Sequence, residues 1–143
     1  MKTGERPVIE TDEVWSFAVS KEHKIRIWLA INRETRQIAG VAFGDRSDET
    51  CLKLWKSLPP DYRKRAVIYT DYWESYRNVL PSERLRQSGK KSGETAHIER
   101  FNNTLRQRCA CMVRKTLSFS RSREMHEKRI RMFIDHYNKN LPV

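Results

Sequence analysis

The order of its apolar runs constrains the fold of this chain more than any other feature. Residues 8–15, 24–31 and 38–43 are rich in β-branched and aromatic side chains, and each run is short and bounded by polar residues or glycine, the pattern of strands. Asn32-Arg33-Glu34-Thr35-Arg36-Gln37 is a polar turn between runs of similar length, as an antiparallel hairpin requires. A helix follows. Ser47 can cap it, Asp48 and Glu49 suit its first turn, Cys51, Leu52, Trp55 and Leu58 recur at helical spacing, and Pro59-Pro60 stops it. Ala66-Val67-Ile68-Tyr69-Thr70 then reads as a buried strand whose end emerges at Asp71. A meander, a helix and a further strand, with only helical patterns after the loop that follows, predict a mixed α/β (α+β) class. The expected architecture is one mixed β-sheet, a three-strand meander plus further strands, flanked by α-helices.

Beyond Asp71 a short aromatic helix is expected around Trp73 and Tyr76. Residues 80–93 are polar and basic, and Ser88-Gly89-Lys90-Lys91-Ser92-Gly93 reads as a flexible loop beside the strands. Two helices complete the pattern, over residues 95–108 and 122–138. In the second, Ile130, Phe133, Ile134 and Tyr137 follow the i, i+3, i+4, i+7 rule and mark its packing face.

A chain of 143 residues has room for one domain, expected over 1–143 with its core at about 8–140. The longest purely apolar run, Ile27 to Ile31, has five residues, against roughly 20 for a membrane span. The first seven residues lack the apolar stretch of a signal peptide. Three cysteines, Cys51, Cys109 and Cys111, form an odd set that suits reduced thiols, so a cytoplasmic location is expected.

Charge is distributed unevenly. Residues 1–83 carry 14 basic and 13 acidic side chains, residues 84–143 carry 15 and 5, and the whole chain has a net charge of +11. Such an excess attracts polyanions at long range, with nucleic acid the leading partner, but it speaks of phosphate and not of base sequence.

Within this basic chain three acids stand out: Asp12 in the first strand, Asp71 after the fourth and Glu99 in the first late helix. If the first and fourth strands lie side by side, Asp12 and Asp71 approach, and like-charged carboxylates that meet need a cation between them. A hard divalent ion such as Mg²⁺ prefers such oxygen ligands. On the late helix Glu99, Asn102, Asn103 and Arg106 share a polar face beside the packing stripe of Ile98, Phe101 and Leu105, so Glu99 could reach the aspartates. Glu10 and Glu13 are competing acids in the first strand, and Glu13 should point to the opposite face from Asp12.

The segments Thr11-Asp12-Glu13-Val14-Trp15-Ser16, Tyr69-Thr70-Asp71-Tyr72-Trp73, His97-Ile98-Glu99-Arg100-Phe101-Asn102-Asn103-Thr104-Leu105-Arg106 and Arg114-Lys115-Thr116-Leu117-Ser118-Phe119-Ser120 resemble the catalytic region of bacterial transposases of the insertion sequence 1 type. These belong to the DDE superfamily and have a ribonuclease H-like fold. The resemblance implies a metal-binding triad of Asp12, Asp71 and Glu99, holding two Mg²⁺ ions with Mn²⁺ able to substitute. It implies nicking of DNA at the ends of an insertion sequence, then attack of the released 3′-hydroxyl on target DNA. It further implies a prokaryotic, nucleoid-associated enzyme that works as a homo-oligomer. An upstream DNA-recognition region, found in such enzymes, is expected to be absent here and supplied by fusion with an upstream reading-frame product.

Arg106, Arg108, Arg114 and Lys115 are candidate phosphate clamps, Arg100, Asn102 and Asn103 further DNA contacts, and His97 a secondary candidate at the scissile phosphate. Cys109-Ala110-Cys111 with His126 lacks the second ligand pair of a structural zinc site. The four tryptophans are read as core aromatics. The competing functions are a catalytically inactive DNA-binding relic or transposition regulator, and a hydrolytic nuclease of the same fold.

Overall fold

The computed structural model describes residues 6–17, 24–115 and 123–141. The three expected strands form as β1 (Val8–Phe17), β2 (Lys24–Asn32) and β3 (Ile38–Gly44), followed by α1 (Asp48–Ser57), α2 (Pro60–Arg65), β4 (Val67–Thr70), α3 (Glu74–Val79), β5 (Leu85–Gln87), α4 (Ala96–Lys115) and α5 (Arg123–Lys139). The sheet runs β3-β2-β1-β4-β5. The β1–β2 and β2–β3 pairs are antiparallel, whereas β4 joins β1 and β5 in parallel. This mixed sheet between helices is compatible with a ribonuclease H-like fold.

Both faces of β2 are covered, which explains why it reads as an unbroken apolar run. Ile25, Ile27, Leu29 and Ile31 pack with Ile98, Phe101 and Leu105 of α4 and Ile130 and Ile134 of α5. From the other face Trp28 and Ala30 pack with Cys51 and Leu54 of α1 and Tyr76 of α3. Trp28 is fully buried, meets Tyr76 edge-on at 5.3 Å between ring centroids, and satisfies its indole N–H on the Asp45 carbonyl at 2.8 Å, as a buried Trp must.

The caps explain the helix boundaries. Ser47 accepts from the Thr50 N–H and opens α1. Pro59-Pro60 ends that helix as expected, but Pro60 also starts α2, since a proline at the first helical position loses no hydrogen bond. The strand β5, within the segment read as polar and basic and just before the expected loop, is only three residues long and among the described residues pairs with β4 alone. A 3₁₀ turn, Lys90–Ser92, occupies the expected flexible loop. No helix among the described residues is long and apolar enough to cross a membrane.

Two packing predictions arise here. A Cβ on Gly40 would lie 2.7 Å from Ser57 Oγ and 2.8 Å from Leu58 Cδ2. Ser57 Oγ is tied to Leu54 O and Val41 N, and Leu58 is buried, so neither yields easily. Gly40→Ala should therefore cost about 1–3 kcal/mol by overpacking, seen as a lower urea midpoint at unchanged m-value. Cys51 is fully buried and its thiol is pushed up to about 12, by burial first and by the charge of Asp48 and Glu13 next. At pH 8 only ~10⁻⁴ of it is thiolate. Peptide mapping after alkylation should find Cys51 unlabelled in the native protein and labelled after unfolding.

Candidate active site

The parallel register places the acids. Val8, Ile9 and Glu10 of β1 stand opposite Val67, Ile68 and Tyr69 of β4, and carrying that register on by two residues sets Asp12 level with Asp71. Because β4 ends at Thr70 while β1 continues to Phe17, the chain leaves the sheet at Asp71 beside β1. This is the carboxyl end of parallel strands, where open α/β sheets place their ligands. Asp71 is fixed there by a turn in which its Oδ1 accepts from the Trp73 N–H at 2.9 Å, while Gln87 Nε2 holds its carbonyl at 3.0 Å.

Asp12, Glu13 and Asp71 each present a carboxylate oxygen within 4.8 Å of the other two. The first and third are the expected pair. Glu13 joins them from the other side of β1, although both its oxygens have partners. Arg46 contacts Oε1 at 2.8 Å and the Tyr76 hydroxyl donates to Oε2 at 2.7 Å. Burial first, and then Glu13 itself, raise the Tyr76 pKa well above its ordinary value, so the phenol remains a donor.

On the opposite face of β1, Asp12 looks toward α4. Asn102, expected at the DNA, is buried and donates from Nδ2 to Asp12 Oδ2 at 3.2 Å. Glu99, one helical turn earlier, is half-buried, and its Oε1 accepts from the Thr95 hydroxyl at 3.1 Å. It does not stand within the tight group formed by the other three acids.

Glu10 has a structural task that the sequence left open. Its fully buried carboxylate accepts from the N–H of His97 at 2.9 Å and of Ile98 at 3.1 Å, and it meets His97 Nδ1 at 2.6 Å and Arg33 Nε at 3.0 Å. An acid from the sheet thus does at the start of α4 what an N-cap side chain does. His97, expected near the scissile phosphate, is engaged in this cap. Arg33, whose charge burial opposes, is nevertheless raised in pKa by Glu10 and then Glu94. The signal for Glu10 was its period: residues 10, 12 and 14 share one face of β1.

Of the expected DNA contacts, Arg100, Asn103, Arg106 and Arg108 are exposed along α4. The side chains of Arg114 and Lys115, like those of Cys109 and Cys111, lie outside the described residues. His126 is buried, and burial lowers its pKa.

Converging carboxylates repel unless a cation joins them, and oxygen donors select a hard divalent ion. A further observation fits such an ion. Asn102 Oδ1 is buried without a hydrogen-bond partner, on the amide that touches Asp12. These residues fit a divalent metal.

The family model described as IS1 transposase matches residues 7–139. The chain is 41% identical over 128 residues to the insertion element iso-IS1n protein InsB of Shigella dysenteriae, covering 90% of this chain and 94% of that one. It is 34% identical over 131 residues to the insertion element IS1 4 protein InsB of Escherichia coli (strain K12), covering 90% and 75%. It is likewise 34% identical over 130 residues to the insertion element IS1 protein InsB of Shigella flexneri, covering 90% and 95%.

Proposed function

The chain belongs to the IS1 transposase family, and from that premise we propose that residues 8–140 form a DDE catalytic domain that nicks DNA at the ends of an insertion sequence and joins the released 3′-hydroxyl to target DNA. The observation that carries this reading is the convergence of Asp12 and Asp71 at the carboxyl end of β4, with α4 beside them. Transposition is the function of the family, and an enzyme of the nuclease or transferase kind, using a divalent metal and DNA, follows from it. The assignment of Mg²⁺, and of Asp12, Asp71 and Glu99 as its ligands, is our own.

Asp12 and Asp71 supply two hard oxygen donors. Glu99 is the third because it lies three residues before Asn102 on one helix face, and Asn102 already reaches Asp12. Among the described residues the Glu99 carboxylate has a single hydrogen bond, from the Thr95 hydroxyl, which leaves its second oxygen to serve as a metal donor. Glu13 is the weaker candidate, since Arg46 and Tyr76 hold both its oxygens. Bound divalent ions would activate water or a 3′-hydroxyl as nucleophile and offset charge on the leaving oxygen. In joining, one phosphodiester bond breaks for each one formed, so no external energy source is needed. Two copies would bring two element ends together.

The exposed cations of α4 hold the phosphate backbone. Log affinity for DNA should therefore fall linearly with log salt, and Arg106→Ala and Arg108→Ala should each reduce that slope by about one. Unchanged slopes in both variants would move the DNA off this helix.

The test is cleavage and joining of labelled DNA carrying the element ends, with Mg²⁺ or Mn²⁺. Joined products establish strand transfer. Hydrolysis without joining assigns a nuclease, and binding without metal-dependent products assigns a DNA-binding regulator.

A further inference from the structure

A cavity of about 590 Å³ shares Arg46, the partner of Glu13, in its wall and is lined also by Trp15, Arg26 and Lys53 together with Asp45 and Glu49. Its volume falls within the roughly 300–1,000 Å³ of small-ligand sites. Trp15, expected in the core, is 46% exposed and carries the Arg26 guanidinium 3.6 Å from its ring centroid. Arg46 lies 3.6 Å over the Trp73 ring while it pairs with Glu13. Arg46 thereby links the cavity wall to the carboxylate group through Glu13, the neighbour of Asp12 in β1.

The lining has the mixed chemistry of a nucleobase site. A bare phosphate site would not include two carboxylates, whereas an unpaired base offers a π-face to a stacked Trp–Arg pair and exocyclic amines to acid oxygens. Asp45 is partly committed, accepting from the Ser47 N–H and the Thr50 hydroxyl, each at 3.0 Å. Burial and the positive charge of Arg46 lower the Arg26 pKa against the opposing pull of Glu13 and Asp12.

Resting on the DNA substrate assigned above, we infer that this cavity receives one unpaired nucleotide flanking the scissile phosphate, its base stacked on the Trp15–Arg26 pair and its phosphate at the rim near Arg26 and Lys53. The enzyme thus works on a locally unpaired strand, and the stacked base fixes the position of the phosphate relative to Asp12 and Asp71.

The test compares the full chain with Trp15→Ala and Trp15→Phe for binding to a blunt duplex and to the same duplex with a single-stranded overhang, in EDTA to prevent cleavage. Trp15→Ala should weaken overhang binding roughly tenfold, Trp15→Phe should restore most of it, and blunt-duplex affinity should change less than twofold. Equal affinity of wild type and Trp15→Ala for the overhang, or equal loss on both DNAs, overturns the site. Lys53→Ala, on the exposed face of α1, provides a second variant, for which a selective loss of overhang binding supports the site and an unchanged affinity removes its phosphate rim. Wild-type cleavage in Mg²⁺, measured alongside, separates the two claims. Cleavage without any Trp15 effect refutes the cavity alone, and a selective Trp15 effect without cleavage refutes the catalytic reading alone.

Discussion

Asp71→Asn is expected to lower metal-dependent DNA cleavage by more than about a hundredfold, beyond the range for groups that merely support a metal ligand, while DNA affinity stays within about threefold of wild type. The asymmetry follows from position. Asp71 stands at the end of β4 with its carboxylate against Asp12, whereas the exposed arginines that would hold phosphate lie along α4. The amide keeps an oxygen for the Trp73 N–H, so the turn survives and the loss is one of charge at the donor set. Single-turnover cleavage and equilibrium binding on the same labelled duplex check both halves. Equal loss of binding and cleavage would mean that Asp71 shapes the DNA surface instead.

The second large effect is one of stability. Glu10→Ala should cost about 3–5 kcal/mol, because it strips one partner from a buried charge network and leaves the first N–H groups of α4 without their acceptor. Glu10→Gln keeps an acceptor oxygen for the helix but loses the charge that complements Arg33, and should cost about 1–3 kcal/mol. Urea unfolding of the two variants gives the comparison. A Glu10→Ala protein within about 0.5 kcal/mol of wild type would show that α4 holds its place on the sheet without this cap.

The sheet was legible because β2, buried on both faces, and β4, paired on both edges by parallel neighbours with Ile68 and Thr70 buried, stand out as compact runs in the sequence. Asp71 was legible for the same reason, as the first polar residue after a buried strand. By contrast, β5 is short, polar and single-sided, and α2 begins at the proline that ends α1, so local pattern identifies neither. The acid site was partly legible. Period-2 alternation separates Glu13 from Asp12 by face, but does not show that at an uncovered strand edge both carboxylates still approach Asp71. Nor does spacing show that Asn102 turns inward to Asp12, or that Glu10 and not His97 completes the start of α4. These depend on how far β1 outruns β4 and where the helix docks, which are tertiary facts. Trp15 was misread as core for a related reason. Its strand alternates correctly, but at that end of the strand the side chain is 46% exposed and Arg26 from β2 stacks on it.

The central claim is that Asp12, Asp71 and Glu99 hold the catalytic divalent ion. Its most direct test is Mn²⁺ binding to the protein–DNA complex, followed by electron paramagnetic resonance in wild type and in Asp12→Asn, Asp71→Asn, Glu99→Gln and Glu13→Gln. Tight Mn²⁺ binding should disappear in the first three variants and persist in Glu13→Gln, whose carboxylate is committed to Arg46 and Tyr76. Persistence in Glu99→Gln with loss in Glu13→Gln would contradict the triad.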